Sequence, residues 1–134
     1  MGERFLIDTS GVIKYIDKTF PPSAISFLDI ELDKEINLSI VTKVEVLGWN
    51  PPDPNDIQRF KIFTEIASIY LITEEIGDIA VLIRKLTKVK LPDVFIAATA
   101  IANKFTLLAD NDKDFNKIVA LGIGLRYLNP FTIK

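Results

Sequence analysis

Leu91-Pro92-Asp93-Val94-Phe95-Ile96-Ala97-Ala98-Thr99-Ala100-Ile101-Ala102-Asn103-Lys104-Phe105-Thr106-Leu107-Leu108-Ala109 encodes a buried helix followed at once by a strand. Pro92 suits the first turn of a helix, and from there to about Lys104 the pattern is nearly all apolar. A helix apolar on every side is buried. Val94 to Ala102 is the most apolar run of the chain and falls well short of the ~20 residues that span a membrane. Thr106 to Ala109 then reads as a strand.

Working outward, the same alternation recurs. Arg4 to Asp8 contains the apolar run Phe5-Leu6-Ile7, a buried strand, with a helix expected from about Gly11. Pro21-Pro22-Ser23 opens a second helix with Ala24, Phe27, Leu28 and Leu32 inward and Asp29 and Asp33 outward. Ile36 to Val41 reads as a strand, with Thr42 capping a helix that runs to Trp49. The breaker Asn50-Pro51-Pro52-Asp53-Pro54 marks a loop, after which Ile57, Phe60, Phe63 and Ala67 recur at helical spacing. Ile69 to Ile72 is a short strand. Thr73 precedes a helix carrying Ile76, Ile79, Ala80, Ile83 and Leu86. Lys113 to Val119 and Leu125 to Leu128 complete the series as a short helix and a last strand. Strands alternating with helices imply an α/β fold, a parallel sheet with helices on both faces. The chain shows no repeat and no linker, so residues 1–134 are expected to form one domain.

Composition narrows the chemistry. Of 134 residues, 49% are hydrophobic and 25% charged, the balance of a folded domain. The chain has no cysteine and no histidine. Disulfide frameworks, thiolate sites, Ser-His-Asp or Cys-His catalysis and imidazole bases are thereby excluded. No secretory signal is visible, and the expected compartment is the cytoplasm. A net charge of −2 argues mildly against a DNA-coating protein. Any catalysis must use carboxylates, lysines, hydroxyls or a bound ion.

Four acids stand out by position. Asp8 ends the first strand, Glu45 lies one turn into the helix after the second, Asp93 starts the buried helix, and Asp114 follows the strand ending at Ala109. Ligands of open α/β sheets bind beyond the carboxyl ends of the strands, where all four would gather. Each also has a plain structural reading. Asp8 reads equally as a helix cap, Glu45 as a salt-bridged residue among Val41, Val44, Val46 and Leu47, Asp93 as a carboxylate favoured by a helix dipole, and Asp114 as turn chemistry. The combination is more specific than any member. Carboxylates gathered in a partly dry pocket repel one another and need a cation or raised pKa values. An all-oxygen acidic cluster suits Mg²⁺ or Mn²⁺. Ser10 stands where a phosphatase of the acid-nucleophile type would place its second Asp, which argues against that chemistry.

These residues resemble the PIN-domain nucleases, particularly VapC-type toxins, over nearly the whole chain. The matching segments are Leu6-Ile7-Asp8-Thr9-Ser10, Thr42-Lys43-Val44-Glu45-Val46-Leu47-Gly48, Leu91 to Ala100 and Asn111-Asp112-Lys113-Asp114-Phe115, with Leu128-Asn129-Pro130-Phe131 like the family's ending. The resemblance implies that Asp8, Glu45 and Asp93 bind divalent metal and that Ser10 supports the site. It implies a fourth acid from the segment Asn111 to Asp114, with Asp114 in the usual place before Phe115. Where a Thr commonly precedes that motif this chain has Ala109, and some relatives carry an acid at the position of Asn111. The fourth ligand is therefore open among Asp114, Asp112 and Asp110, with Asp114 holding the best claim, Asp110 its main rival and Asp112 solvated. The resemblance further implies strand order 3-2-1-4-5, a homodimer, and inhibition by a cognate antitoxin protein.

Arg84, Lys85, Lys88 and Lys90 precede Asp93 and are candidate contacts for RNA phosphates, against the reading that they are solvated charge at a helix C-terminus. Trp49 reads as core or as a partner anchor. The function expected is a divalent-metal-dependent endoribonuclease, a toxin of a toxin–antitoxin pair. The alternative is a catalytically inactive PIN-like module that binds RNA or protein.

Overall fold

The computed structural model describes residues 2–134. Its elements are β1 (Phe5–Ile7), α1 (Thr9–Ile16), α2 (Pro22–Lys34), β2 (Asn37–Ser39), α3 (Ile40–Gly48), α4 (Asn55–Ile66), β3 (Ser68–Tyr70), α5 (Glu74–Leu86), α6 (Leu91–Ala102), β4 (Thr106–Leu108), α7 (Asp112–Val119) and β5 (Arg126–Leu128), with a closing 3-10 turn at Pro130–Thr132. All strand pairs are parallel.

The ladders form two pieces, β1-β4-β5 and β2-β3. β2 lies beside β1. There a side chain takes the place of a ladder: buried Asn37 donates from Nδ2 to the Phe5 carbonyl at 3.0 Å. Its Oδ1 accepts from the Tyr70 hydroxyl at 3.2 Å. The polar Asn37 inside the apolar run Ile36 to Leu38 is thus a mortise between the two sheet pieces. The ladders give the partial orders β1-β4-β5 and β2-β3; the continuous order 3-2-1-4-5 is what the family resemblance implies.

Alternate residues of a strand face opposite sides, and the two cores follow from that rule. Leu6 and Leu107 enter a core roofed by α5, α6 and α7 with Ile83, Ile96 and Phe115. Phe5, Ile7 and Leu108 enter a core roofed by α1, α2 and α4 with Val12, Leu28 and Phe60. Helices cover both faces, as the sequence implies. α6 is the buried helix expected: Ile96 to Ala100 are all at most 1% exposed. Its polar Thr99 is satisfied by donating to the Phe95 carbonyl at 2.7 Å.

Several boundaries differ from the sequence reading. α1 begins at Thr9, because Asp8 itself is the cap. β2 is three residues long and Ser39, with Oγ accepting from Val41 N, caps α3; Thr42 is buried inside that helix. β3 ends at Tyr70, leaving Leu71 and Ile72 exposed. Ile57 and Leu86 face solvent, since α4 turns Phe60 and Phe63 inward and α5 turns Ile76, Ala80 and Ile83 inward. Trp49 is neither core nor free: 38% exposed, it leans on Phe60 with centroids 5.9 Å apart. Among the described residues, no helix is long and apolar enough to cross a membrane.

Candidate acidic site at the carboxyl edge of the sheet

Asp8 leaves β1 at its carboxyl end and is 4% exposed. Its Oδ1 accepts the Gly11 amide at 2.7 Å, so the structural reading of this residue holds: it caps α1. Gly11 is required by closeness. A Cβ there would stand 2.8 Å from Ile7 Cγ1 and 2.9 Å from Asp8 Oδ1, forcing the carboxylate aside.

The cap does not account for the electrostatics. Burial pushes the Asp8 carboxyl up to about 7, and the charges of Asp110 and Asp93 add to the rise against the lowering bonds from Gly11 and Ser10. Asp93, half-buried in the first turn of α6, is also raised, by burial first, then by Asp114 and Glu45, with Lys90 opposing. Asp8, Asp93, Asp110, Asp114 and Glu45 therefore share one electrostatic neighbourhood.

Each acid is held differently. Glu45 is exposed, and Thr9 Oγ1 donates to its Oε1 at 2.6 Å, a tether from α1 to α3. Asp110 accepts from Ser10 Oγ at 2.6 Å and from Lys14 Nζ. Burial alone would raise its pKa, but those two donors hold it below the ordinary value. Asp114 accepts from Asn111 Nδ2 at 3.0 Å, while Asn111 Oδ1 accepts the Asp114 amide and caps α7. Asp112 is exposed and turned to the Tyr127 hydroxyl at 2.6 Å and Asn129 Nδ2 at 3.1 Å.

Among the described residues, no three carboxylates are close enough to make a ready-made cage for an ion. The donor set is nonetheless hard, oxygen-only and short of positive charge at Asp8. That chemistry fits Mg²⁺ or Mn²⁺ held by one or two carboxylates with water completing the shell. Among the ion pairs of the described residues, Lys14 bonds Asp110 and Lys117 stands 4.0 Å from Asp114, while no Lys or Arg bonds Asp8, Asp93, Glu45 or Asp112.

The four basic residues before Asp93 are held differently. Arg84 donates to the Val89 carbonyl at 2.9 Å, a structural role in turning the chain from α5 to α6. Lys90 precedes α6 and acts on Asp93. Lys85 and Lys88 are exposed. Three residues escaped the sequence reading: Thr9, Lys14 and Tyr127. Thr9 adjoins Asp8, and Lys14 lies one turn beyond Ser10 on the same helix face, so their spacing carried a signal; Tyr127 carried none.

A groove of about 930 Å³ lies elsewhere, between α1, α2 and α4. Ile25, Ile62 and Ile66 line it with Asp17, Asp29 and Asp56. Asp17 is raised there by burial and by the neighbouring Asp56 carboxyl.

A PIN domain family model matches residues 5–121. Among solved structures, the chain is similar to a toxin-antitoxin complex from Klebsiella pneumoniae, with 24% identity, TM-score 0.72, and coverage of 98% of this chain and 100% of that one. It is similar to DNA-bound VapBC from Salmonella typhimurium, with 19% identity, TM-score 0.76, and coverage of 96% and 99%. FitAcB from Neisseria gonorrhoeae gives 19% identity, TM-score 0.73, and coverage of 96% and 99%. At these identities the structural likeness speaks for the fold. No curated protein matches the sequence.

Proposed function

The chain belongs to the PIN-domain family, and from that premise we propose that it is a divalent-metal-dependent endoribonuclease, the toxin of a toxin–antitoxin pair acting in the cytoplasm. The observation that carries this reading is the buried Asp8, raised to about 7 beside Asp93 and Asp110, an excess of negative charge that a cation would relieve. Asp8, Asp93 and Glu45 would hold Mg²⁺ or Mn²⁺, with Asp114 as fourth acid by its influence on Asp93. Bound there, the ion would lower the pKa of a water and offset charge developing on the phosphodiester. The chain's own part is positional: Gly11 orients Asp8, Ser10 orients Asp110, Thr9 orients Glu45, and Asn111 orients Asp114. Asp112, bonded to Tyr127 and Asn129, anchors β5 to α7.

The similar Klebsiella pneumoniae structure is a toxin-antitoxin complex, and this chain is proposed to have an antitoxin of its own. The acidic, apolar-floored groove between α1, α2 and α4 would suit a basic amphipathic segment of such a partner. Exposed Val81, Leu86 and Leu91 would suit a second copy in a homodimer.

The test is cleavage of RNA with and without Mn²⁺. Cleavage that appears with Mn²⁺ and stops with chelator supports the reading. RNA binding without cleavage, in folded protein saturated with metal, would instead identify a non-catalytic PIN-like module.

A further inference from the structure

We propose that Lys14 is a positioning residue that withholds Asp110 from the cation site, leaving Asp8, Asp93, Glu45 and Asp114 as the working acids; this rests on the metal-binding reading above. Ser10 and Lys14 are four residues apart on α1, so they share a face of the helix. Both converge on Asp110, Ser10 on Oδ1 at 2.6 Å and Lys14 on Oδ2. The two carboxylate oxygens are thus engaged from the α1 side. Ser10 has one proton to give, and its 2.6 Å approach to Asp110 against 3.3 Å to either oxygen of Asp8 assigns it to Asp110.

The ammonium is itself fixed. Lys14 Nζ stands 5.3 Å from the centroid of Phe131, whose ring packs against Phe20 at 4.9 Å. Its side chain is 34% exposed and that of Asp110 10%, so the pair is more sheltered than an ordinary surface ion pair. An Asp at the end of β4, beside Asp8 at the end of parallel β1, would otherwise be well placed to ligate. To do so it would have to surrender a charge-assisted bond. Lys14 therefore cancels one carboxylate of the cluster and fixes which oxygens remain open.

Removing any positive charge near a cation site tightens binding somewhat, so the decisive measurement is a double-mutant cycle. Mn²⁺ affinity is measured by calorimetry on the full chain for the parent, Lys14→Met, Asp110→Asn and the double variant. Lys14→Met is expected to tighten Mn²⁺ binding about tenfold as Asp110 turns to the ion, and to lower the metal-free Tm as unscreened acids repel. Asp110→Asn should weaken Mn²⁺ binding no more than about threefold in the parent but about thirtyfold in the Lys14→Met background. Lys14→Arg, which can hold the same carboxylate, should stay near the parent. An equal effect of Asp110→Asn in both backgrounds would overturn the inference, since Lys14 would then act through charge alone. Lys14→Gln carries the same cycle if the Met variant does not fold. A parent chain that binds no Mn²⁺ overturns the metal-binding reading itself, a failure distinguishable from an additive cycle.

Discussion

The two ends of the same strands treat charge in opposite ways. Before β1, Arg4 grips Glu35 with bonds of 2.7 and 2.8 Å, and its guanidinium lies 5.1 Å from the Phe105 centroid. Glu35 is accordingly held below its ordinary pKa, chiefly by the bond from Arg4. At the start of β4, Thr106 donates to Glu3. After the same strands come Asp8 and Asp110, joined by Asp93 from α6, and Asp8 is driven up to about 7. One end satisfies its acids with partners of its own. The other pairs Asp110 with Lys14 and leaves Asp8 and Asp93, both raised above the ordinary carboxylate value, without a Lys or Arg bonded to them. A protein shaped for stability alone would pair both ends, so the unbalanced end is where an external cation is expected.

Breaking the unbalanced end should give the largest effect. Asp8→Asn keeps an acceptor for the Gly11 amide but removes the charge. RNA cleavage should fall by at least about a hundredfold, as the site loses a ligand. The metal-free protein should gain about 2 kcal/mol of stability at pH 8, because a buried charge is gone. Thermal melts beside a gel cleavage assay read both. Cleavage at the parental rate would remove Asp8 from the mechanism.

The pH dependence sharpens the contrast. Asp8 has a folded pKa above its unfolded value, so the folded state binds the extra proton. Stability of the metal-free protein should be full below the ordinary carboxylate pKa and fall as pH rises from about 4 to about 7. The slope from this residue is at most about 1.4 kcal/mol per pH unit, and Asp8→Asn should remove it. Glu35 has the opposite sign. Its pKa is depressed, so its contribution is present above the ordinary value and lost as pH falls below it. Glu35→Gln should therefore lower the Tm slightly at neutral pH and leave Mn²⁺ affinity unchanged. A chemical-denaturation series from pH 4 to 8 on the three proteins separates the two ends.

Much of this was legible in the sequence, and the limits have physical causes. The apolar run from Val94 to Ala102 fixed a buried helix, and the order of acids along the chain placed them at one edge, because parallel strands all point the same way. Boundaries failed where side chains competed with the backbone: Asp8 and Ser39 start their helices earlier than apolar periodicity suggests. Asn37 was invisible as a join between strands, since periodicity says nothing about which strands meet. Lys14 and Thr9 were overlooked because their partners, Asp110 and Glu45, lie far along the chain. The separate fates of Asp110, Asp112 and Asp114 depend on one turn whose directions composition does not encode.

The smallest expected effect concerns the basic residues beside the acidic edge. Lys88 is exposed, so Lys88→Ala should weaken RNA binding only about twofold at low salt, and the difference should vanish as salt screens it. A loss that persists at high salt would show a specific contact in place of diffuse attraction.

Titration of Mn²⁺ into the metal-free protein by calorimetry, with Asp8→Asn in parallel, asks whether the acids at the carboxyl edge form a divalent-cation site. The parent should bind saturably below millimolar Mn²⁺, with a rise in Tm that grows with ion concentration, and the variant should bind at least about tenfold more weakly. A folded parent that takes up no Mn²⁺ at millimolar concentration, or a variant that binds it as tightly as the parent, would mean that these acids hold no divalent cation.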